Sequence, residues 1–176
     1  MANIPVIETA RLKLIPLDVE NAKPDNHEEV VQQLGMQLAN LILGEKTDQK
    51  IKTSMRQSLE ALIKDKKKGQ WYDDWESVLI ILKNTNALIG GFCFQRNPEE
   101  YSACHIGYMI KPEYQNNGYM TEALREGITW IFQNPDIAYL LAETSKSNLA
   151  SQQVLKKIGM TVYRETAQSL MWEIEY

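Results

Sequence analysis

His105-Ile-Gly-Tyr-Met-Ile-Lys-Pro-Glu-Tyr-Gln-Asn-Asn-Gly-Tyr-Met-Thr-Glu-Ala-Leu124 runs from an apolar strand through a short turn into an amphipathic helix. The turn, Gln115 to Gly118, leaves successive backbone N–H groups without helical partners, and their partial positive charge suits a phosphate or pyrophosphate. The spacing predicts a helix over about 118–133, with Met120, Leu124, Gly127, Ile128 and Ile131 on its buried face. Asn134-Pro135 ends it.

Reading outward, the period is two on the N-terminal side. Ser77 to Leu82 and Ala87 to Phe94 flank Lys83-Asn-Thr-Asn86, an antiparallel hairpin turn, and Ala103 to Ile110 is the third strand of the meander. On the C-terminal side a short strand over 138–142 follows the helix. A strand, helix, strand unit of this length is a crossover, so 138–142 runs parallel to 103–110.

A second helix over about 148–158 starts at Ser147 or Asn148 as N-cap, carries Lys156 and Lys157 in its last turn and stops at Gly159. Strands near 161–164 and 170–175 close the chain. At the other end, Arg11 to Leu17 alternates as a first strand, with Pro16 marking an edge or strand end. Between the first strand and the hairpin, apolar stripes over 30–42 and 51–63 predict two helices. The fold class is α+β, a mixed, mostly antiparallel sheet of about seven strands with about four helices.

The 176 residues are 44% hydrophobic, and no Gly/Ser/Pro-rich linker divides them, so a single domain over 1–176 is expected. A net charge of -4 argues against a general nucleic-acid binder. The basic cluster Lys64 to Lys68 reads as a solvated helix end. The absence of a spanning apolar run or a signal-like N-terminus predicts a cytoplasmic protein with no membrane partner. Cys93 and Cys104 are not in Cys-x-x-Cys spacing and the chain has 2 histidines, which excludes an ordinary zinc site, so no metal is expected. Buried reduced thiols, or two thiols facing each other on neighbouring strands, are the readings left.

A glycine turn before a helix also occurs in dinucleotide folds and P-loops, but there is no Gly-x-Gly-x-x-Gly and no Gly-Lys-Ser/Thr here. Taken together, the motifs resemble the GNAT family of acetyl-coenzyme A dependent N-acetyltransferases, in particular its ribosomal-protein N-terminal acetyltransferase-like branch. They are Glu8-Thr-Ala-Arg-Leu-Lys-Leu14, Leu88-Ile-Gly-Gly91, Ile106-Gly-Tyr108, the Gln115 to Gly118 turn with Thr121-Glu-Ala-Leu124, Asn148-Leu-Ala-Ser151 with Val154-Leu155, and Ile158-Gly-Met160. The resemblance covers nearly the whole chain.

It implies a splayed parallel strand pair as the cofactor cleft and acetyl-CoA as acetyl donor. In that arrangement Gln115, Asn116, Asn117, Gly118, Tyr119, Met120 and Thr121 surround the pyrophosphate, the edge of Tyr108, Met109 and Ile110 pairs with the pantetheine arm, and Asn148 holds that arm from the other side. Met120 departs from the family pattern, which has a small residue there. Simpler roles remain open: Gly118 as a turn glycine and Asn148 as a helix cap. A homodimer is suggested by family habit.

Acetyl transfer to an amine needs a base, an oxyanion donor and a proton for the departing thiolate. His105 is the first candidate base, since an ordinary imidazole pKa of about 6.5 suits the task. It stands where members of the branch often carry a carboxylate. A polar rim position is the competing reading, and Glu143 is the second candidate. Backbone N–H near Met109 or Ile110 is the expected oxyanion donor.

Leu155 occupies the position where many relatives place a tyrosine acid, which leaves Ser151, Ser147 or water to protonate the thiolate. Trp71, Asp73, Asp74 and Trp75 suit a cationic amine acceptor, a small molecule or a protein N-terminus, or serve in packing. The expected activity is therefore N-acetyl transfer to a primary amine. The alternatives are a catalytically silent acyl-CoA-binding module, motivated by Met120 and Leu155, and a generic nucleotide-binding protein.

Overall fold

A computed structural model describes residues 6–17, 53, 75–97 and 100–175. Their strands and helices belong to one compact unit drawn from residues 1–17 and 74–176, with residues 18–73 grouped as a second. The helices expected over 30–42 and 51–63, the Lys64 to Lys68 cluster, and Trp71, Asp73 and Asp74 lie outside the described residues. Trp75 opens a strand, but its side chain is also outside them.

The described strands form one sheet of eight, in the order β1-β2-β3-β4-β5-β6-β8-β7. They are β1 (Ile7–Glu8), β2 (Leu12–Leu17), β3 (Trp75–Leu82), β4 (Ala87–Asn97), β5 (Glu100–Ile110), β6 (Tyr139–Ser145), β7 (Thr161–Glu165) and β8 (Ser169–Glu175). Two helices complete the set, α1 (Tyr119–Ile131) and α2 (Leu149–Lys157). The expected mixed, mostly antiparallel α+β architecture is what the structure has.

The eighth strand is β1, a two-residue piece paired with Leu14 and Lys13. Sequence periodicity cannot register so short an element. Pro16 lies past that pairing, on a stretch of β2 whose described ladder runs only to β3, which is where proline is tolerated. The meander of β3, β4 and β5 is antiparallel throughout, and β6 joins β5 in parallel after α1, as a crossover requires. The hairpin turn holds Asn86 at φ 51, a left-handed conformation that asparagine accepts more readily than most residues.

Val78 to Leu82 is buried at every position, so β3 is apolar on both faces and does not alternate. One face carries Val78, Ile80, Phe92, Phe94, Cys104, Ile106 and Leu140, which pack in a single core with Ala123 and Leu124 of α1, Leu155 of α2 and Trp172. The two cysteines form no disulfide. Cys93 is opposite Gly107 and Cys104 opposite Arg96, which puts them on opposite faces, with Cys104 buried and Cys93 half-buried.

Gly127 lets α1 lie close on the sheet. A Cβ there would come within 2.7 Å of the Phe92 ring, which is itself held in the core. Gly127→Ala should therefore destabilise the protein by about 1–3 kcal/mol through overpacking, despite the better helix propensity of alanine. Urea unfolding checks this. An unchanged midpoint would mean that the helix moves away at no cost.

Among the described residues no helix is long and apolar enough to cross a membrane, and no group of three His, Cys, Asp or Glu could hold a metal ion.

Candidate cofactor cleft and active site

The parallel ladder between β5 and β6 has three residue pairs, Ala103 with Tyr139, Cys104 with Leu140 and His105 with Leu141. Past that point β5 continues to Ile110 and β6 to Ser145, and the ladder between them stops. The strands part into a gap. The Lys111 amide bonds to the Ile89 carbonyl on the β4 side. Alternation along β5 then turns the amides of Tyr108 and Ile110 toward the gap and that of Met109 toward β4. Of the expected oxyanion donors, Ile110 has the suitable orientation, joined by Tyr108.

Directly after β5, a 3-10 turn over Pro112–Tyr114 leads into the Gln115 to Gly118 turn. Asn116 and Gly118 have φ of 61 and 76, both left-handed. The Asn117 side chain donates to the carbonyls of Tyr114 at 3.3 Å and Gln115 at 2.8 Å, and Gln115 Nε2 donates to the Ile110 carbonyl at 3.3 Å. Gly118 is the N-cap of α1 and supplies no side-chain cap, so the first intrahelical bond in this turn is Glu122 N–H to the Gly118 carbonyl. The amides of Tyr119, Met120 and Thr121 precede that bond, at the positive end of the helix.

Met120 is buried in the core. Its bulk is taken up between α1 and the sheet, so the departure from a small residue does not crowd the turn.

A second set of contacts, which sequence reasoning missed, comes from the β1–β2 corner. The Thr9 hydroxyl donates to Glu122 Oε1 at 2.6 Å, the Arg11 amide to the same oxygen at 2.8 Å, and Arg11 Nε to Oε2 at 2.7 Å. Arg11 Nη1 donates to the Asn117 carbonyl at 3.0 Å, and the guanidinium lies 4.5 Å from the Tyr119 ring centre. Burial pushes the Glu122 carboxyl up, but the Thr9 hydroxyl and the Arg11 amide and guanidinium outweigh it and hold the group below its ordinary value. Both halves of this network sit inside quoted motifs, Glu8 to Leu14 and Thr121 to Leu124. The only local signal was charge complementarity between residues 111 positions apart.

On the far side of the gap, Asn148 caps α2, its Oδ1 accepting from the Ser151 amide at 3.1 Å. The simpler role proposed for Asn148 is thus present in the structure. Buried Gln152, also missed, donates to the Ser145 and Lys146 carbonyls at 3.2 and 3.0 Å and fixes α2 to the end of β6. Leu155 is fully buried and supplies no acid. The half-buried Ser151 has its carbonyl within 3.2 Å of the Tyr108 hydroxyl, which reaches it from β5. Burial pushes the Tyr108 phenol up, against a smaller opposing pull from Ser151. Two predicted site residues therefore meet across the gap.

His105 is exposed and pairs in register with Gln95 and Leu141 at the last rung before the gap opens. Strand alternation puts it, Met109 and Glu143 on the face opposite Tyr108 and the two helices. Met109 is 67% exposed there. The site thus has two sides: the anion turn, Tyr108 and Ser151 on one face, and His105 with Glu143 on the other.

The Acetyltransferase (GNAT) domain matches residues 11–161 of this sequence. The chain belongs to the GNAT acetyltransferase family. Among curated relatives, the uncharacterized N-acetyltransferase YjdG of Bacillus subtilis (strain 168) is 26% identical over 171 residues, covering 95% of this chain and 96% of that protein. The GNAT fold is shared with ribosomal-protein-S5-alanine acetyltransferase from Vibrio fischeri, with a TM-score of 0.62, 16% identity and coverage of 97% and 96% of the two chains. It is shared as well with RimL, a ribosomal L7/L12 alpha-N-protein acetyltransferase solved in complex with coenzyme A, at a TM-score of 0.56, 19% identity and coverage of 97% and 98%.

Proposed function

We propose that this protein transfers the acetyl group of acetyl-CoA to a primary amine, either a protein or peptide N-terminus or a small molecule. One observation carries the reading: the turn at the start of α1, which has no side-chain cap, adjoins the stretch of β5 that, among the described residues, β6 no longer pairs, so one extended ligand with an anionic middle and an amide-bearing arm can use both. The fit is chemical. Successive amides suit a pyrophosphate, and the outward groups of Tyr108 and Ile110 suit the amides of a pantetheine arm. The coenzyme A complex of RimL supports the choice of cofactor.

Acetyl-CoA supplies an activated thioester; the residues of this chain supply the rest. In the proposed reaction the amine nitrogen bonds to the thioester carbonyl carbon, the carbon–sulfur bond breaks, the amine proton goes to the base, and a proton is returned to sulfur. His105 is exposed at the last rung before the gap opens, and we assign it the base, either directly or through water. We assign the Tyr108 or Ile110 amide, whichever the arm leaves unpaired, as donor to the carbonyl oxygen. Ser151, whose carbonyl accepts from the Tyr108 hydroxyl, is the assigned source of the thiolate proton.

Free thiol should be released from acetyl-CoA only when an acceptor amine is present, and a panel of peptides with free N-termini, polyamines and amino acids identifies the class. In the same set, acetyl-CoA and coenzyme A at about 100 times Kd should raise stability by roughly 2.7 kcal/mol, or about 5–10 °C in Tm, whereas ATP should not. Binding without thiol release across the panel would favour the silent acyl-CoA-binding module. A shift with ATP alone would favour a nucleotide-binding protein.

A further inference from the structure

The anion turn has a carboxylate beside it. Glu122 lies in the first turn of α1, where its negative charge opposes that of any anion held by the Tyr119, Met120 and Thr121 amides. Both of its oxygens are engaged from the β1–β2 corner by Thr9 and Arg11. Arg11 does more than form an ion pair, since its Nη1 also holds the Asn117 carbonyl, the group next to Gly118. A Cβ added to Gly118 would lie 3.6 Å from Arg11 Nη2, so the guanidinium borders the turn itself. Its side chain remains 46% exposed.

We propose that Arg11 is a positioning residue for the anionic part of the cofactor: it pins the Asn117 carbonyl away from the ligand and neutralises Glu122, leaving the turn amides as the net field the ligand meets. This rests on the coenzyme A reading above. An arginine suits the task because its planar fork serves a carboxylate and a carbonyl together, which a lysine ammonium does with poorer geometry.

The test is coenzyme A titration of the whole protein as wild type, Arg11→Gln, Arg11→Lys and the double variant Arg11→Gln with Glu122→Gln. Arg11→Gln should raise Kd by about tenfold or more. Arg11→Lys, which keeps the charge and loses the fork, should fall between it and wild type. Removing the unmasked carboxylate in the double variant should recover most of the loss. Recovery of affinity while Tm stays equal between Arg11→Gln and the double variant is what a merely structural role would not produce, because there affinity would follow stability.

Wild-type affinity in Arg11→Gln, or a loss that the double variant leaves unrecovered, would overturn the proposal. If Arg11→Gln does not fold, Arg11→Lys decides: affinity equal to wild type with an unchanged salt dependence would overturn it, and a severalfold weaker Kd at unchanged Tm would support it. No coenzyme A binding by the wild-type protein would instead refute the cofactor reading, so the two failures are distinct.

Discussion

Gly118→Glu should weaken coenzyme A binding by at least about a hundredfold while leaving the fold intact. Gly118 is left-handed at φ 76, where a residue with a side chain is strained by roughly 1–2 kcal/mol. That is a fraction of the stability of an ordinary domain. The added carboxylate would lie beside Arg11, which offers it a partner, so the protein itself tolerates the charge. A ligand does not. The turn would then carry an anion of its own in front of the Tyr119, Met120 and Thr121 amides. Calorimetric titration and a melting curve on one preparation separate the two effects. Unchanged affinity would mean that the pyrophosphate is held elsewhere.

His105→Ala should lower kcat by about a hundredfold or more, the ordinary contribution of a general base, with little change in the Kd of coenzyme A. The split follows from the two-sided site: His105 is on the face opposite Tyr108, at the last rung of the parallel ladder, whereas the anion turn lies past the far end of β5. Glu143→Gln is the companion variant, because Glu143 shares that face. Activity equal to wild type across pH 6 to 9 would remove His105 as base. A comparable loss in Glu143→Gln alone would transfer the role.

Most of the sheet was legible in the sequence because its strands and turns are locally encoded. The hairpin at Lys83 to Asn86 announces itself by turn residues, α1 by its apolar stripe, and the parallel step from β5 to β6 by the helix between them. Periodicity failed at β3, where Val78 to Leu82 is buried on both faces, and at β1, which exists only as a partner for Lys13 and Leu14. In the site, the backbone parts were readable and the side-chain parts were not. Gly118 and Asn148 stood out by residue type at helix starts. The Thr9, Arg11 and Glu122 contacts did not, because nothing local says that a corner near the N-terminus returns to the start of α1. The family resemblance assigned Tyr108 to the cofactor arm, but its meeting with Ser151 depends on how α2 docks, which Gln152 helps to fix through the end of β6.

The three-rung ladder between β5 and β6 has a mechanical consequence. Among the described residues, the backbone hydrogen bonding that joins the β1–β5 half of the sheet to the β6–β8 half runs through Ala103 to His105 and the neighbouring bond from the Ala138 amide to the Ser102 carbonyl. The two halves meet in a short backbone seam, and a shared core of Val78, Phe92 and Leu124 with Leu140, Leu155 and Trp172 holds them together. An amide-bearing arm laid in the gap would act as a removable ninth strand that lengthens this seam on arrival and shortens it on departure. Catalytic turnover would then include a cycle in which the arm completes the sheet and leaves it open again.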